Sequence, residues 1–117
     1  MLTAREQARN RVIALRLQTL GLGKMGWEEP VDGADPIPRN FSDFTVLVNT
    51  VDDWCAFRGA RWTMGRDANF NGIATIVQLT PDNHERRTYH GLDEDSPSEA
   101  LLQAWLEALG LPAERKP

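Results

Sequence analysis

Few residues in this chain have the type and spacing that chemistry requires. His84 and His90 precede Asp93, Glu94 and Asp95, and imidazole beside carboxylates is the pairing that binds a divalent metal or relays a proton. The intervals fit no zinc or calcium signature, and acids just ahead of a helix are accounted for by its positive end. Ser42, Ser96 and Ser98 lack the Gly-x-Ser-x-Gly setting of an activated nucleophile and suit helix caps instead. Cys55 sits on an apolar stripe, where a thiol is usually buried and inert. Gly21-Leu22-Gly23-Lys24 has the composition of a phosphate loop but follows a helix, whereas that motif follows a strand and opens a helix. These residues predict no catalytic, cofactor-binding or metal-binding position, and the chain reads as a non-enzyme.

Residues suited to binding are more plentiful. Arg5, Arg9 and Arg16 line one side of the first helix, Arg39, Arg61, Arg86 and Arg87 fall near loop or strand ends, and Trp27 and Trp62 are not claimed by any core stripe. Tryptophan and arginine dominate interface hot spots, so these nine residues are the expected interaction surface. Eleven of the thirteen basic residues are arginine, a bias that codon usage in a GC-rich genome also produces. Seventeen acids against thirteen bases give a net charge of −4, which argues against a protein held to nucleic acid mainly by charge.

The elements that must position these residues follow from local signals. With 117 residues, 41% of them hydrophobic, the chain is expected to form a single domain over 1–117. Thr3 and Glu6 have capping-box spacing and open a helix from about Ala4 to Leu20, ended at Gly21 and Gly23. Its apolar arc is drawn through Ala8, Val12, Leu15, Ile13, Leu17 and Leu20, with the arginines along its middle. Residues 26–40 hold Pro30, Pro36 and Pro38 among turn formers and acids, so a loop is expected there, anchored by Trp27.

Phe41–Phe57 carries two periods. Alternation over residues 44–48 fits a strand, while Phe44, Leu47, Val48, Val51 and Cys55 fit a longer helix, capped by Ser42 with Asp43 at its positive end and stopped at Gly59. The helix is the better count. Ala60–Gly65 and Phe70–Thr80 read as a hairpin, the second strand apolar on both faces and therefore central. A turn at residues 81–84 and a third strand over Arg86–Leu92 complete an antiparallel meander. Ser96-Pro97-Ser98-Glu99 starts the last helix, whose stripe Leu101, Leu102, Trp105, Leu106 and Leu109 ends at Gly110-Leu111-Pro112, with a short tail over 112–117. The expected fold is α+β: a three-stranded antiparallel meander packed with an N-terminal, a middle and a C-terminal helix, a layered sandwich.

Three motifs then align with a known family. Lys24-Met25-Gly26-Trp27 after the first helix, Pro38-Arg39-Asn40-Phe41-Ser42-Asp43 entering the second, and Asp93 to Leu101 entering the third make the chain resemble the phage ABA sandwich domain family. The β-prone stretch Thr45-Val46-Leu47-Val48 departs from that family's more regular helix. The resemblance implies a layered α/β domain in a phage or prophage setting. It implies no activity and transfers no site residue.

One cysteine fits a reducing compartment, and neither a leader-like N-terminus nor a membrane-spanning run is present in the sequence given, so a cytoplasmic, membrane-free protein is expected. The functional expectation is a small accessory protein that binds a host or phage protein, with inhibition of a host-defence enzyme as one form. Two alternatives stand beside it: nucleic-acid binding through an arginine-rich face, and sequestration of a small nucleotide by an oligomer.

Overall fold

A computed structural model of the chain describes residues 2–29, 31–79 and 86–111. Among them, four helices and three strands follow in the order α1 (Ala4–Thr19), α2 (Gly23–Gly26), α3 (Phe44–Arg58), β1 (Ala60–Arg66), β2 (Gly72–Leu79), β3 (Arg86–Asp93) and α4 (Pro97–Ala108). This is a small α+β fold. Two compact units can be drawn, Met1–Thr50 and Val51–Pro117, the division falling inside α3.

In the first unit α1 opens on the expected capping box: the Thr3 hydroxyl accepts from the Glu6 amide at 3.1 Å, and the Glu6 carboxylate accepts from the Thr3 amide at 3.1 Å. Those bonds, the backbone Thr3 contact foremost and Ser42 and Arg9 also contributing, hold the Glu6 carboxyl below its ordinary value despite some desolvation. The helix stops in a Schellman arrangement, with Gly21 at φ +81° and the Leu22 amide donating to the Leu17 carbonyl at 2.8 Å. Its buried stripe is Asn10, Ile13, Ala14 and Leu17, so the expected arc is corrected. Ala8 lies outside, and Val12 and Leu15 are 47% and 48% exposed. Asn10 explains the rotation, because its side-chain oxygen accepts from the buried Phe41 amide at 3.2 Å and a polar residue so partnered belongs inside.

Beyond Gly21 the short turn α2 places Gly26 against α1. A Cβ at position 26 would meet the Ala14 Cα at 2.7 Å, so no side chain fits there.

The segment with two periods is helical. Its cap is Asp43, whose carboxylate accepts from the Val46 amide at 3.1 Å, and not Ser42, whose hydroxyl instead accepts from Arg9 Nη2 at 3.2 Å. Leu47, Val51, Trp54 and Cys55 are buried while Phe44 is 54% exposed. The stripe therefore begins one turn later than its apolar residues do.

The second unit contains the meander in the order β1-β2-β3, antiparallel throughout. β2 is central, as its two apolar faces required. α4 packs on the face that carries Ala74 and Ile76, both buried. Glycines permit the close approach: a Cβ on Gly91 would run into the Ala100 backbone, and one on Gly72 into the Ser96–Pro97 peptide. α4 itself begins where three signals agreed, with the Ser96 hydroxyl accepting from the Glu99 amide at 3.3 Å and Pro97 in the first turn. Leu101, Leu102, Trp105, Leu106 and Leu109 are all buried, each worth about 1.5–3 kcal/mol before entropy. The Leu111 amide closes the helix by donating to the Leu106 carbonyl at 2.9 Å. The expected turn at 81–84, with His84, and the tail over 112–117 lie outside the described residues.

Candidate functional site

The stretch 26–40 forms a closed loop with its own geometry. Trp27 and Pro38 face each other as an antiparallel bridge, and the bonds that make it come from their neighbours: the Glu28 amide donates to the Ile37 carbonyl at 2.8 Å, and the Arg39 amide to the Gly26 carbonyl at 2.9 Å. Pro38 thus occupies a position from which no amide is asked, so proline costs the pairing nothing. At the far end the Ala34 amide donates to the Val31 carbonyl at 3.1 Å across Gly33, which has φ +80°. This is the left-handed conformation that glycine adopts without penalty.

Arg39 locks the base of the loop. Its Nε donates to the Trp27 carbonyl at 3.2 Å and its Nη2 to the Lys24 carbonyl at 3.1 Å, tying the loop to the last turn of α2. A guanidinium supplies several donors in one rigid plane, and here two of them take carbonyls at the end of α2. Sequence reasoning expected Arg39 on an interaction surface; its geometry makes it the clamp at the base of the loop.

Between the loop and α2 lies an open hollow of about 650 Å³, within the range of small ligand and peptide sites. Trp27, Val31, Pro36 and Ile37 supply apolar lining, and Glu28, Glu29 and Asp35 stand around it with Lys24. Val31 is 70% exposed and Ile37 56%. Apolar side chains held this openly on a bonded loop are a mark of interaction surfaces. A second open hollow of about 670 Å³ adjoins α1 and shares Asp35, Pro36 and Ile37, so that segment forms a ridge between the two.

The other expected site residues are scattered. Arg5 is exposed on α1, Arg9 is half-buried on Ser42, and Arg16 is half-buried in the last turn. Trp62 is half-buried and its indole donates to Asp52 Oδ1 at 3.1 Å. Arg61 pairs with Val77 and Arg87 with Gln78, neighbours on one strand, so these two arginines stand on opposite faces of the sheet. Arg86 opens β3 opposite Leu79, and its side chain lies outside the described residues. Of the nine, the structure brings Trp27 and Arg39 together at the hollow.

The histidine and acids of the opening motif are separated. His90 is exposed opposite Thr75, while the Asp93 carboxylate is buried and accepts from the Asp95 and Ser96 amides at 3.0 and 2.9 Å. Strand alternation sends them to different faces. No group of three or more metal-ligating side chains is found among the described residues. Burial pushes the Cys55 thiol up to about 12, with Asp52 adding to the shift, so the buried sulfur is held as an unreactive thiol.

Sequence reasoning missed Val31, Ile37, Glu28, Glu29 and Asp35. The available signal was their setting: Val31, Asp35 and Ile37 stand between prolines and Glu28 and Glu29 just ahead of the first, where a solvent loop has no use for valine or isoleucine. It also passed over Asp67, Asn69, Asn71 and Gly72, whose spacing suits oxygen ligation of calcium. The loop spends those groups on itself. Asp67 Oδ1 accepts from the Asn69 and Asn71 amides at 2.8 and 3.0 Å, its Oδ2 accepts from Asn71 Nδ2 at 3.2 Å, and Arg66 Nη1 takes the Phe70 carbonyl at 2.7 Å.

Comparison with protein-family models, with curated proteins and with solved structures returns no match for this chain. Among the described residues, no helix is long and apolar enough to cross a membrane.

Proposed function

We propose that this chain is a non-enzymatic protein-binding module that docks its partner on the loop 26–40. The observation that carries the reading is the loop itself, pinned by the Trp27/Pro38 bridge and the Arg39 clamp while Val31 and Ile37 stay exposed around a hollow of about 650 Å³. A bonded loop has already lost much of the conformational entropy that binding would otherwise cost, which favours affinity. The phage or prophage setting, with a host-defence enzyme as one target, rests on the three short motifs alone. A cytoplasmic location in the host cell belongs to the same proposal, and the buried free thiol of Cys55 is compatible with it.

The test is capture from a lysate of the native host with the tagged full chain, in parallel with a Val31→Ser/Ile37→Ser variant and with nuclease treatment. The expected result is a protein retained by the wild type, insensitive to nuclease and lost with the variant. Recovery that vanishes with nuclease would move the function to nucleic-acid binding. A nucleotide absorbance spectrum without protein would move it to sequestration of a small ligand.

A further inference from the structure

The hollow carries a second message in its charges. Glu28, Glu29 and Asp35 are all exposed around it, and Asp32 is exposed in the turn at the loop's tip. Against them stand Lys24 and Arg39, and Arg39 has turned its donors onto the Trp27 and Lys24 carbonyls. The surface offered to an incoming molecule therefore combines apolar side chains of Trp27, Val31, Pro36 and Ile37 with more carboxylates than cations.

We propose that the occupant of this hollow is a basic protein segment, one or two large apolar side chains flanked by lysine or arginine. The inference rests on the loop's being the docking site and adds the chemical class of what docks there. The apolar anchor is required because Trp27, Val31, Pro36 and Ile37 present carbon to the hollow. Flanking cations are required because an acidic segment or a nucleic-acid backbone would meet carboxylates of its own sign, and such like-charge juxtaposition rejects wrong partners. The hollow is open and exceeds the space of a single side chain, so a short extended segment fits it better than one protruding residue.

The experiment selects a random dodecapeptide library displayed on yeast against the immobilised full chain, with counter-selection on the Val31→Ser/Ile37→Ser variant. Enriched peptides are then measured against the wild type and a Glu28→Gln/Glu29→Gln/Asp35→Asn variant by fluorescence anisotropy at low and high salt. All of these positions are exposed, and circular dichroism verifies that both variants fold. The expected result is a leucine, isoleucine or aromatic anchor with lysine or arginine on both sides, binding about tenfold more weakly to the charge variant and weakening with salt. Loop-dependent peptides that are neutral or acidic, or that bind the charge variant equally well, would overturn the basic class while leaving the docking loop in place. Absence of any peptide that distinguishes the wild type from the Val31→Ser/Ile37→Ser variant would overturn both.

Discussion

The loop 26–40 and the hairpin turn 67–71 are both tied by charged side chains, the loop by a cation on carbonyls and the turn chiefly by an anion on amides, with Arg66 adding a bond to the Phe70 carbonyl. Arg39 grips carbonyl oxygens; Asp67 grips amide N–H groups. The sign of the clamp decides what surface is left. A cation that takes carbonyls leaves the carboxylates of its own loop at Glu28, Glu29 and Asp35 facing solvent, and the long span between bridge and tip leaves room for a hollow. At the hairpin turn the Asp67 carboxylate directs its oxygens to groups within five residues. Loops of similar turn-rich composition thus border a hollow in one case and connect two strands in the other.

The largest way to break this comparison is to remove the cation. Arg39→Ala is expected to destabilise the first unit by about 2 kcal/mol, since two charge-assisted bonds from a half-buried group are lost and the Trp27 and Lys24 carbonyls lose their donor. Hydrogen exchange should show it as loss of protection at the amides of positions 28 and 39, the two that close the bridge. Unchanged protection there would mean that the bridge closes the loop unaided. Removing the anion is expected to have a smaller effect with a pH signature. Burial alone would raise the Asp67 carboxyl, but bonds from the Asn71 and Asn69 amides and the Asn71 side chain outweigh it, and the net shift is downward. A group depressed in the folded state adds stability above its unfolded pKa and loses it as pH falls through the folded one. Asp67→Ala should therefore lower the melting temperature near neutrality, and the gap from wild type should close as the solution is acidified below about pH 4. A gap independent of pH would show that the carboxylate's charge has no part in holding the turn.

The same contrast explains how far the fold was legible in the residues. α4 could be read outright because capping, proline placement and apolar period are all local and agreed. The meander followed from β-branched runs and turn formers, and α3 from the longer of two competing periods. What escaped depended on contacts distant in sequence. The rotation of α1 is set by Asn10 reaching the Phe41 amide, and Ser42 was unavailable as a cap because Arg9 holds it. The hollow depends on residues 26–28 pairing with residues 37–39, a closure with no periodicity and with a proline at its centre. Trp27 and Arg39 were found by residue type, but their roles came from that closure.

The hairpin turn contains one more residue that separates the two loops. Phe70 has φ +63° and is 76% exposed, so a bulky side chain sits in a conformation that costs about 1–2 kcal/mol for residues with a Cβ, without burial to offset it. Gly33, in the turn at the tip of the first loop, takes φ +80° without that cost. Phe70→Gly is expected to raise stability by up to about 1 kcal/mol, the relief of strain exceeding the extra backbone freedom glycine brings to the unfolded chain. Urea unfolding of the full chain measures it. If stability rises while capture of the partner is unchanged, the strain at Phe70 is a local concession to the Asp67 turn, and binding belongs to the loop 26–40 alone. If capture falls as stability rises, the exposed ring contributes to recognition, and the hairpin turn joins the docking surface. A fall in stability would show that the left-handed residue is held by contacts of the ring and that the turn is not closed by Asp67 unaided.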